Sequence, residues 1–169
     1  MHDGPFTTPN FYVNVNHTQP TCLTRDFTPS VMNWFSEPGV VAKVLAQPDY
    51  TSFAFELEGI PSFTQPSIHG GGHFGVGGAL GTMGDAYNSP GDPLFYLHHG
   101  NLDHVLWLWQ QQDLETRLHQ VGGPVVPFDY GGTNVTLDFE INLGEIAGPY
   151  KLGQLLDTKG GVLCYTYDG

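Results

Sequence analysis

Histidines are concentrated in the stretch from Ile68 to Gln110, where four of the eight in the chain form two pairs. His69 and His73 are four residues apart, and His98 and His99 are adjacent. Residues four apart on a helix share one face, with side chains about 5–6 Å apart, so both imidazoles of the first pair can reach one metal ion. A third imidazole from the second pair would complete a three-nitrogen site, which suits copper or zinc better than magnesium or calcium.

The same histidines also allow interpretations other than this metal site. The zinc-protease motif HExxH is absent, because Gly70 stands where that motif places its glutamate. The alternative to a metal site is that His69 and His73 are surface histidines in a glycine loop. In that case His98 and His99 would be packed core residues.

Two predicted helices must position these side chains. The first covers about Pro66–Val76, and each of its three successive glycines costs about 1 kcal/mol relative to alanine, so a bound metal or a crowded site must favour the helix. The second begins after Asp92, an N-cap followed by proline, and is predicted to run over Pro93–His119. It is apolar over so much of its circumference that we expect it to be buried on most sides.

The rest of the chain predicts shorter elements. Residues 1–37 show no helical period. A helix is predicted from Pro38 with Ser36 as its N-cap, and another from Tyr50 to Glu58. From Val125 onward the pattern indicates short strands or extended loops. The predicted fold class is mainly α, with long loops and a few short strands, and the 23 glycines and 13 prolines agree with it.

Composition excludes several classes of function. The formal net charge is −12 with only five Lys and Arg, so the chain has no electrostatic footprint for nucleic acid or an anionic membrane. No apolar run approaches the roughly 20 residues of a membrane span. We expect neither nucleic acid nor a membrane as a partner.

Four further residues bear on the cellular location of the protein. Cys22 and Cys164 could pair with each other in a disulfide, or each could pair with another chain. Sequons at Asn16 and Asn134 predict glycosylation. Together with the small number of lysines, these features favour a secreted, extracellular protein.

Two longer segments carry a family resemblance. SIHGGGHFGVGG and SPGDPLFYLHHGNLDHVLWLWQ resemble the second copper region, CuB, of the tyrosinase, catechol oxidase and hemocyanin family. The family pattern is HxxxH, a loop, then DPxFxxHHxxxDR followed by WQ. The flanking segments DGPF, CLTRDF, VLAQPDY and CYTYD extend the likeness to secreted fungal tyrosinases and catechol oxidases over nearly the whole chain. The resemblance implies half of a four-helix bundle around a type-3 dicopper core.

The resemblance also assigns the metal ligands. It implies that His69, His73 and His99 bind the CuB ion. His98 is the less favoured third ligand, and otherwise a neighbour that supports His99 without binding the metal. Asp103, four residues after His99, is predicted either to orient its imidazole or to anchor the helix.

Two positions bear on the reaction that the resemblance implies. Glu58 matches a glutamate that holds a water near the site in tyrosinases. Gly70 stands where enzymes that hydroxylate phenols often carry asparagine, and glycine cannot help deprotonate a monophenol, so diphenol oxidation is favoured. His104 replaces the usual arginine and is interpreted as structural. Three apolar residues are predicted either to wall the pocket or to be ordinary core: Phe74, Met83 and Phe95.

The other copper of the family, CuA, has no match here. Each copper takes three histidines, and nothing before His69 resembles the CuA signature; His2 and His17 offer no paired helical ligands. We therefore interpret residues 1–169 as the C-terminal portion of a tyrosinase copper-binding domain. This chain would bind one of two coppers, and a companion chain would carry the CuA half.

The expected activity follows from that interpretation. A type-3 dicopper oxidase of this kind oxidises o-diphenols to o-quinones with O2, and monophenols and o-aminophenols are further candidate substrates. The enzyme would be active only with the CuA-bearing half. The alternatives are a hemocyanin-like oxygen-binding protein and a non-catalytic protein that binds a single copper or zinc ion.

Overall fold

The computed structural model describes residues 4–7, 13, 21–60, 62 and 64–168. Helices provide most of the regular structure in these residues. Six α-helices occur there: α1 Pro29–Phe35, α2 Pro38–Leu45, α3 Tyr50–Glu58, α4 Ile68–Gly77, α5 Pro93–Gln111 and α6 Leu114–Arg117. Two strands of two residues each, β1 Glu140–Ile141 and β2 Tyr150–Lys151, pair antiparallel with Glu140 opposite Lys151. The predicted fold class, mainly α with few short strands, is confirmed.

The chain divides into two compact units. The first contains the described residues within 1–43 and 57–103, and the second those within 44–56 and 104–168. Both predicted histidine pairs belong to the first unit.

Two glycines of α4 explain part of its unusual sequence. The helix is capped by Ser67, whose hydroxyl accepts the N–H of Gly70 at 3.2 Å. A Cβ on Gly71 would lie 2.9 Å from the Cβ of Phe35, and one on Gly75 would overlap the side chain of Met32. Both neighbours belong to α1, so the missing side chains let α1 pack directly on α4.

The start of α5 is fixed by a buried carboxylate. Asp92 is fully buried, and its Oδ1 accepts the N–H of Leu94 at 2.9 Å, as the N-cap prediction requires. The predicted end at His119 is wrong, because α5 stops at Gln111. Asp113 accepts the N–H of Thr116 and starts α6, so a second cap interrupts the helix.

The burial of α5 also differs from the prediction. Tyr96 is 65% exposed and Leu97 is 70% exposed, so the N-terminal half of the helix is not buried on most sides. The C-terminal half lies in the second unit and includes Trp109, which is fully buried. The Trp109 indole N–H donates to the carbonyl of Gln47 at 2.7 Å, and its ring centroid lies 5.0 Å from that of Phe53.

One helix and one helix cap differ from the predictions. Within residues 1–37, for which no helix was predicted, Pro29–Phe35 forms α1. This helix has only seven residues and none of them is fully buried, so its half-buried apolar positions cover too few turns for a helical period to stand out in the sequence. Ser36 lies at the C-terminal end of α1, where its N–H donates to the carbonyl of Met32, and is not the N-cap of α2. The helix from Tyr50 to Glu58 is confirmed, and Gly59 follows it with φ +76°.

The two cysteines and the described sequon asparagine lie at the protein surface. Cys22 and Cys164 are free and exposed, so the predicted disulfide between them is not formed in the structure. Asn134 is exposed, and Asn16 lies outside the described residues, together with His2 and His17. Within the described part, no helix combines the length and the hydropathy that crossing a bilayer requires.

Candidate metal centre

Three of the predicted histidines meet in the first unit. One nitrogen from each of His69, His73 and His99 lies within 4.8 Å of the other two. Among the described residues, this is the only such group of three or more His, Cys, Asp or Glu side chains. The Nε2 atoms of His73 and His99 are 3.2 Å apart. Helix α4 supplies the first two ligand candidates one turn apart, and α5 supplies the third.

The remaining ring nitrogens of α4 have partners of their own. Nδ1 of His69 lies 2.6 Å from Oε2 of Glu58. Nδ1 of His73 donates to the carbonyl of Met83 at 2.7 Å. Because a carboxylate or a carbonyl at Nδ1 holds the proton there, Nε2 of each ring keeps a free lone pair for a metal.

The protonation of these rings also suits metal binding. Burial lowers the pKa of His73, and the nearby His69 lowers it further, against the opposing hydrogen bond to Met83. Burial is likewise the main cause of the lowered pKa of His99, with His69 and His73 adding to it. Both rings are therefore neutral at neutral pH, which is the form that coordinates a metal.

The spacing of two of the three nitrogens fits one ion. Two nitrogens that are each about 2.0 Å from one tetrahedral ion lie roughly 3.3 Å apart. The distance between the Nε2 atoms of His73 and His99, 3.2 Å, matches that value. An all-imidazole set of three leaves a coordination position open for a further ligand, and its chemistry suits copper or zinc.

His98 lies beside this group without belonging to it. Its Nε2 donates to the carbonyl of His69 at 3.0 Å. A Cβ on Gly72 would overlap the His98 ring, so the glycine makes room for the imidazole against α4. Burial lowers the pKa of His98 to about 4, and the three neighbouring histidines lower it as well. This geometry favours His99 over His98 as the third ligand, and it gives His98 the task of holding α5 against α4.

The other predicted residues on α5 occupy different surroundings. Asp103 is half-buried one turn after His99, and its predicted orienting or anchoring role remains a prediction. His104 belongs to the second unit, where its ring stacks on Tyr167 with centroids 4.5 Å apart. That contact agrees with the structural interpretation of His104.

A cavity of about 680 Å³ opens over the three histidines. Phe74, Met83 and Phe95 line it, so their predicted position in the pocket wall is confirmed. The ring of Phe95 stacks on His99 with centroids 4.0 Å apart. Glu58 and the half-buried Gly70 also line this cavity.

Part of the cavity wall consists of residues that were not predicted. Val31 and Phe35 reach it from α1, four residues apart on one face of a helix that was not predicted. The signal that could have found this helix is Thr28 followed by Pro29, a threonine at the N-cap position and a proline in the first turn. The loop before α5 adds further lining residues that were not predicted: Gly84, Asp85, Ala86, Ser89 and Pro90.

Comparison with known proteins agrees with this site. The family model described as the common central domain of tyrosinase matches residues 1–112. The tyrosinase-like protein phomQ1 of Diaporthe leptostromiformis is 33% identical over an alignment of 161 positions, which covers 88% of this chain and 39% of that protein. N-acetyl-6-hydroxytryptophan oxidase ivoB of Emericella nidulans is 33% identical over an alignment of 181 positions including gaps, which covers 98% of this chain and 48% of that protein.

A solved structure gives the same result. The structure of a mutant polyphenol oxidase from Thermothelomyces thermophila matches with a TM-score of 0.76 at 28% identity, covering 89% of this chain and 42% of that one. The chain thus spans about half, or less, of the length of these relatives.

Proposed function

This chain belongs to the tyrosinase family, whose members bind copper and act on phenols with O2, and we propose that it is the CuB-bearing half of a type-3 dicopper oxidase. The substrates would be o-diphenols, oxidised to o-quinones. The observation that carries the proposal is the group of His69, His73 and His99 at a cavity with aromatic walls. Copper bound there would supply the redox chemistry with O2.

The side chains of this chain have separate tasks in that reaction. The three histidines hold the metal, Glu58 fixes the ring of His69, and the Met83 carbonyl fixes the ring of His73. The other oxygen of the Glu58 carboxylate is the candidate for holding a water in the cavity. Phe74 and Phe95 offer apolar faces to a phenol ring and reduce the access of water to it.

A preference for diphenols rests on Gly70. This residue lines the cavity and carries no side chain that could orient a base toward a monophenol. Gly70→Asn would place an amide there, and we expect a higher ratio of monophenol hydroxylation to diphenol oxidation. The control Gly70→Ala adds a Cβ, 2.9 Å from the Ser67 hydroxyl, without an amide. If Gly70→Asn and Gly70→Ala had the same ratio of monophenol hydroxylation to diphenol oxidation, the residue at position 70 would not determine the preference for diphenols.

A companion half that carries CuA completes the proposal. Three exposed apolar side chains of the first unit would suit contact with another segment: Trp34 at 57%, Tyr96 at 65% and Leu97 at 70% exposure. The relatives are longer than this chain, and its described part holds one metal group only. Intact mass under non-reducing conditions would reveal a disulfide-linked companion through Cys22 or Cys164, together with any glycan on Asn16 or Asn134 of a secreted form.

Copper counting tests the function directly. We expect two coppers in the complex with the CuA half, one of them lost in His73→Ala and retained in His119→Ala, which changes an exposed histidine outside the group. The loaded complex should oxidise 4-methylcatechol. Reversible O2 binding without quinone formation would instead indicate an oxygen carrier. One metal and no turnover with the companion half present would indicate a simple metal-binding protein.

A further inference from the structure

The charged side chains around the cavity are of one sign. Glu58 and Asp85 line it, and the described lining contains no lysine or arginine. Glu58 is already engaged with Nδ1 of His69 at 2.6 Å. The partners of Asp85, by contrast, are the uncharged N–H groups of Tyr87 and Asn88, so they hold the carboxylate without adding a positive charge beside it, and the rest of the wall is largely apolar.

Asp85 is close to the metal centre along the chain. The carbonyl of Met83 accepts the Nδ1–H of His73 at 2.7 Å, and Asp85 follows Met83 by two residues. Two residues of chain span at most about 7 Å, so the Asp85 backbone lies within reach of a phenol bound at the histidines. A side chain of a few atoms on that phenol would bring its terminal group toward the carboxylate.

The Asp85 carboxylate is fixed and ionised. Its Oδ1 accepts the backbone N–H groups of Tyr87 at 2.8 Å and Asn88 at 2.9 Å, and its Oδ2 accepts the amide of Asn88 at 2.9 Å. These bonds, the Asn88 side chain first, lower the pKa of Asp85. The group is therefore held in place before a ligand arrives, and it carries its negative charge at neutral pH.

We propose that this cavity favours phenols that carry a cationic amine over phenols that carry a carboxylate, and that Asp85 is the residue that discriminates between them. The proposal rests on the proposed function, because it names the substrate class of the same site. An ammonium group gains from the fixed carboxylate, whereas a second carboxylate is repelled by it. The net charge of −12 acts in the same direction over a longer range.

The effect should be moderate because Asp85 is exposed and screened by solvent. Exposed ion pairs correspond to at most about a five-fold change in affinity. Since attraction of the amine and repulsion of the acid both contribute, we expect roughly a five- to ten-fold amine-to-acid ratio at low salt, falling as NaCl is added.

The test uses three catechols that differ only in the side chain: dopamine, 4-methylcatechol and 3,4-dihydroxyphenylpropionate. Binding to the complex loaded with copper(I) is measured by calorimetry without oxygen, so that no oxidant is present and no turnover occurs, and kcat/KM is then measured in air. Asp85→Asn should lower the amine-to-acid ratio toward the small preference that the net charge alone gives, and it should change 4-methylcatechol binding much less than the binding of either charged catechol. Asp85→Glu should keep the preference, and Asp138→Asn, an exposed carboxylate outside the cavity lining, controls for net charge.

The outcomes separate the two proposals. Equal binding of the three catechols to the unaltered complex would overturn the role of Asp85, and so would equal changes in Asp85→Asn and Asp138→Asn. If quinone still formed, the proposed oxidase activity would stand in either case. Selective binding without quinone formation would uphold the Asp85 inference and overturn the oxidase. A ratio of affinities within one variant does not depend on the fraction of protein that is folded, so a partly misfolded variant still gives a decisive result.

Discussion

Replacing Arg25 with methionine should disturb the metal centre from outside it. Arg25 donates from Nη2 to Oδ1 of Asp92 at 2.9 Å and from Nε to Oδ2 at 3.3 Å. Asp92 caps α5, the helix that carries His99 seven residues later. The residue before Arg25 is also hydrogen-bonded to the loop that precedes α5. The N–H of Thr24 donates to the hydroxyl of Thr82 at 3.1 Å, and the N–H of Thr82 donates to the carbonyl of Thr24 at 2.9 Å.

The expected loss of unfolding free energy follows from the burial of this ion pair. The Asp92 side chain is 0% exposed and that of Arg25 is 19% exposed, so methionine would leave a carboxylate buried without its charged partner. Removing one partner of a buried ion pair costs about 3–5 kcal/mol of unfolding free energy. The double variant Arg25→Met, Asp92→Asn keeps a capping side chain but removes the stranded charge, so it should recover most of that loss.

Urea unfolding followed by circular dichroism measures these differences, with copper affinity measured in parallel by chelator competition. Lys151→Met is the matched control, because Lys151 and Asp138 form an ion pair in which both side chains are more than half exposed. It should change nothing measurable. An unfolding free energy of Arg25→Met within about 1 kcal/mol of that of the unaltered protein, or no recovery in the double variant, would refute a stabilising role for this ion pair.

Further predictions concern the immediate surroundings of the histidines. Gly72→Ala should lower stability by about 1–3 kcal/mol because its Cβ would overlap the ring of His98, whereas Gly100→Ala, with nothing within 4 Å, should raise it by up to about 1 kcal/mol. Thermal unfolding of the two variants checks this, and a harmless Gly72→Ala would show that His98 does not need the space. Glu58→Ala should weaken copper binding about 10- to 100-fold because His69 loses its partner, and Glu58→Gln should weaken it less. Chelator competition decides, and equal losses in the two variants would contradict an orienting hydrogen bond.

Local patterns were enough to predict the helices that carry the ligands. The HxxxH spacing and the Asp92 cap each depend on residues within one or two turns, and the structure places α4 and the start of α5 where those patterns indicated. The end of α5 was not predictable from its apolar period, because a competing cap at Asp113 stops the helix before that period ends. Asp85 was not predicted as a cavity residue because its position depends on the path of a loop.

The fate of the cysteines could not be predicted for a related reason. Whether Cys22 and Cys164 approach each other depends on the whole fold, and spacing along the chain carries no information about it. The structure leaves both of them free and exposed. Helix α1 was not predicted for a different reason: its seven residues are fewer than the roughly 11 over which a helical period can be counted.

The glycines of α4 connect the sequence of the site to its geometry. Each costs the isolated helix about 1 kcal/mol relative to alanine, and a bound metal was one candidate reason for tolerating them. The structure favours crowding instead: Gly71 and Gly75 admit side chains of α1 on one side, and Gly72 admits the ring of His98 from α5 on the other. Because α4 is packed closely from two directions, its ligands are positioned by protein contacts that do not require the ion. The 3.2 Å between Nε2 of His73 on α4 and Nε2 of His99 on α5 is therefore set by helix packing, and a metal ion would find these two nitrogens already in place.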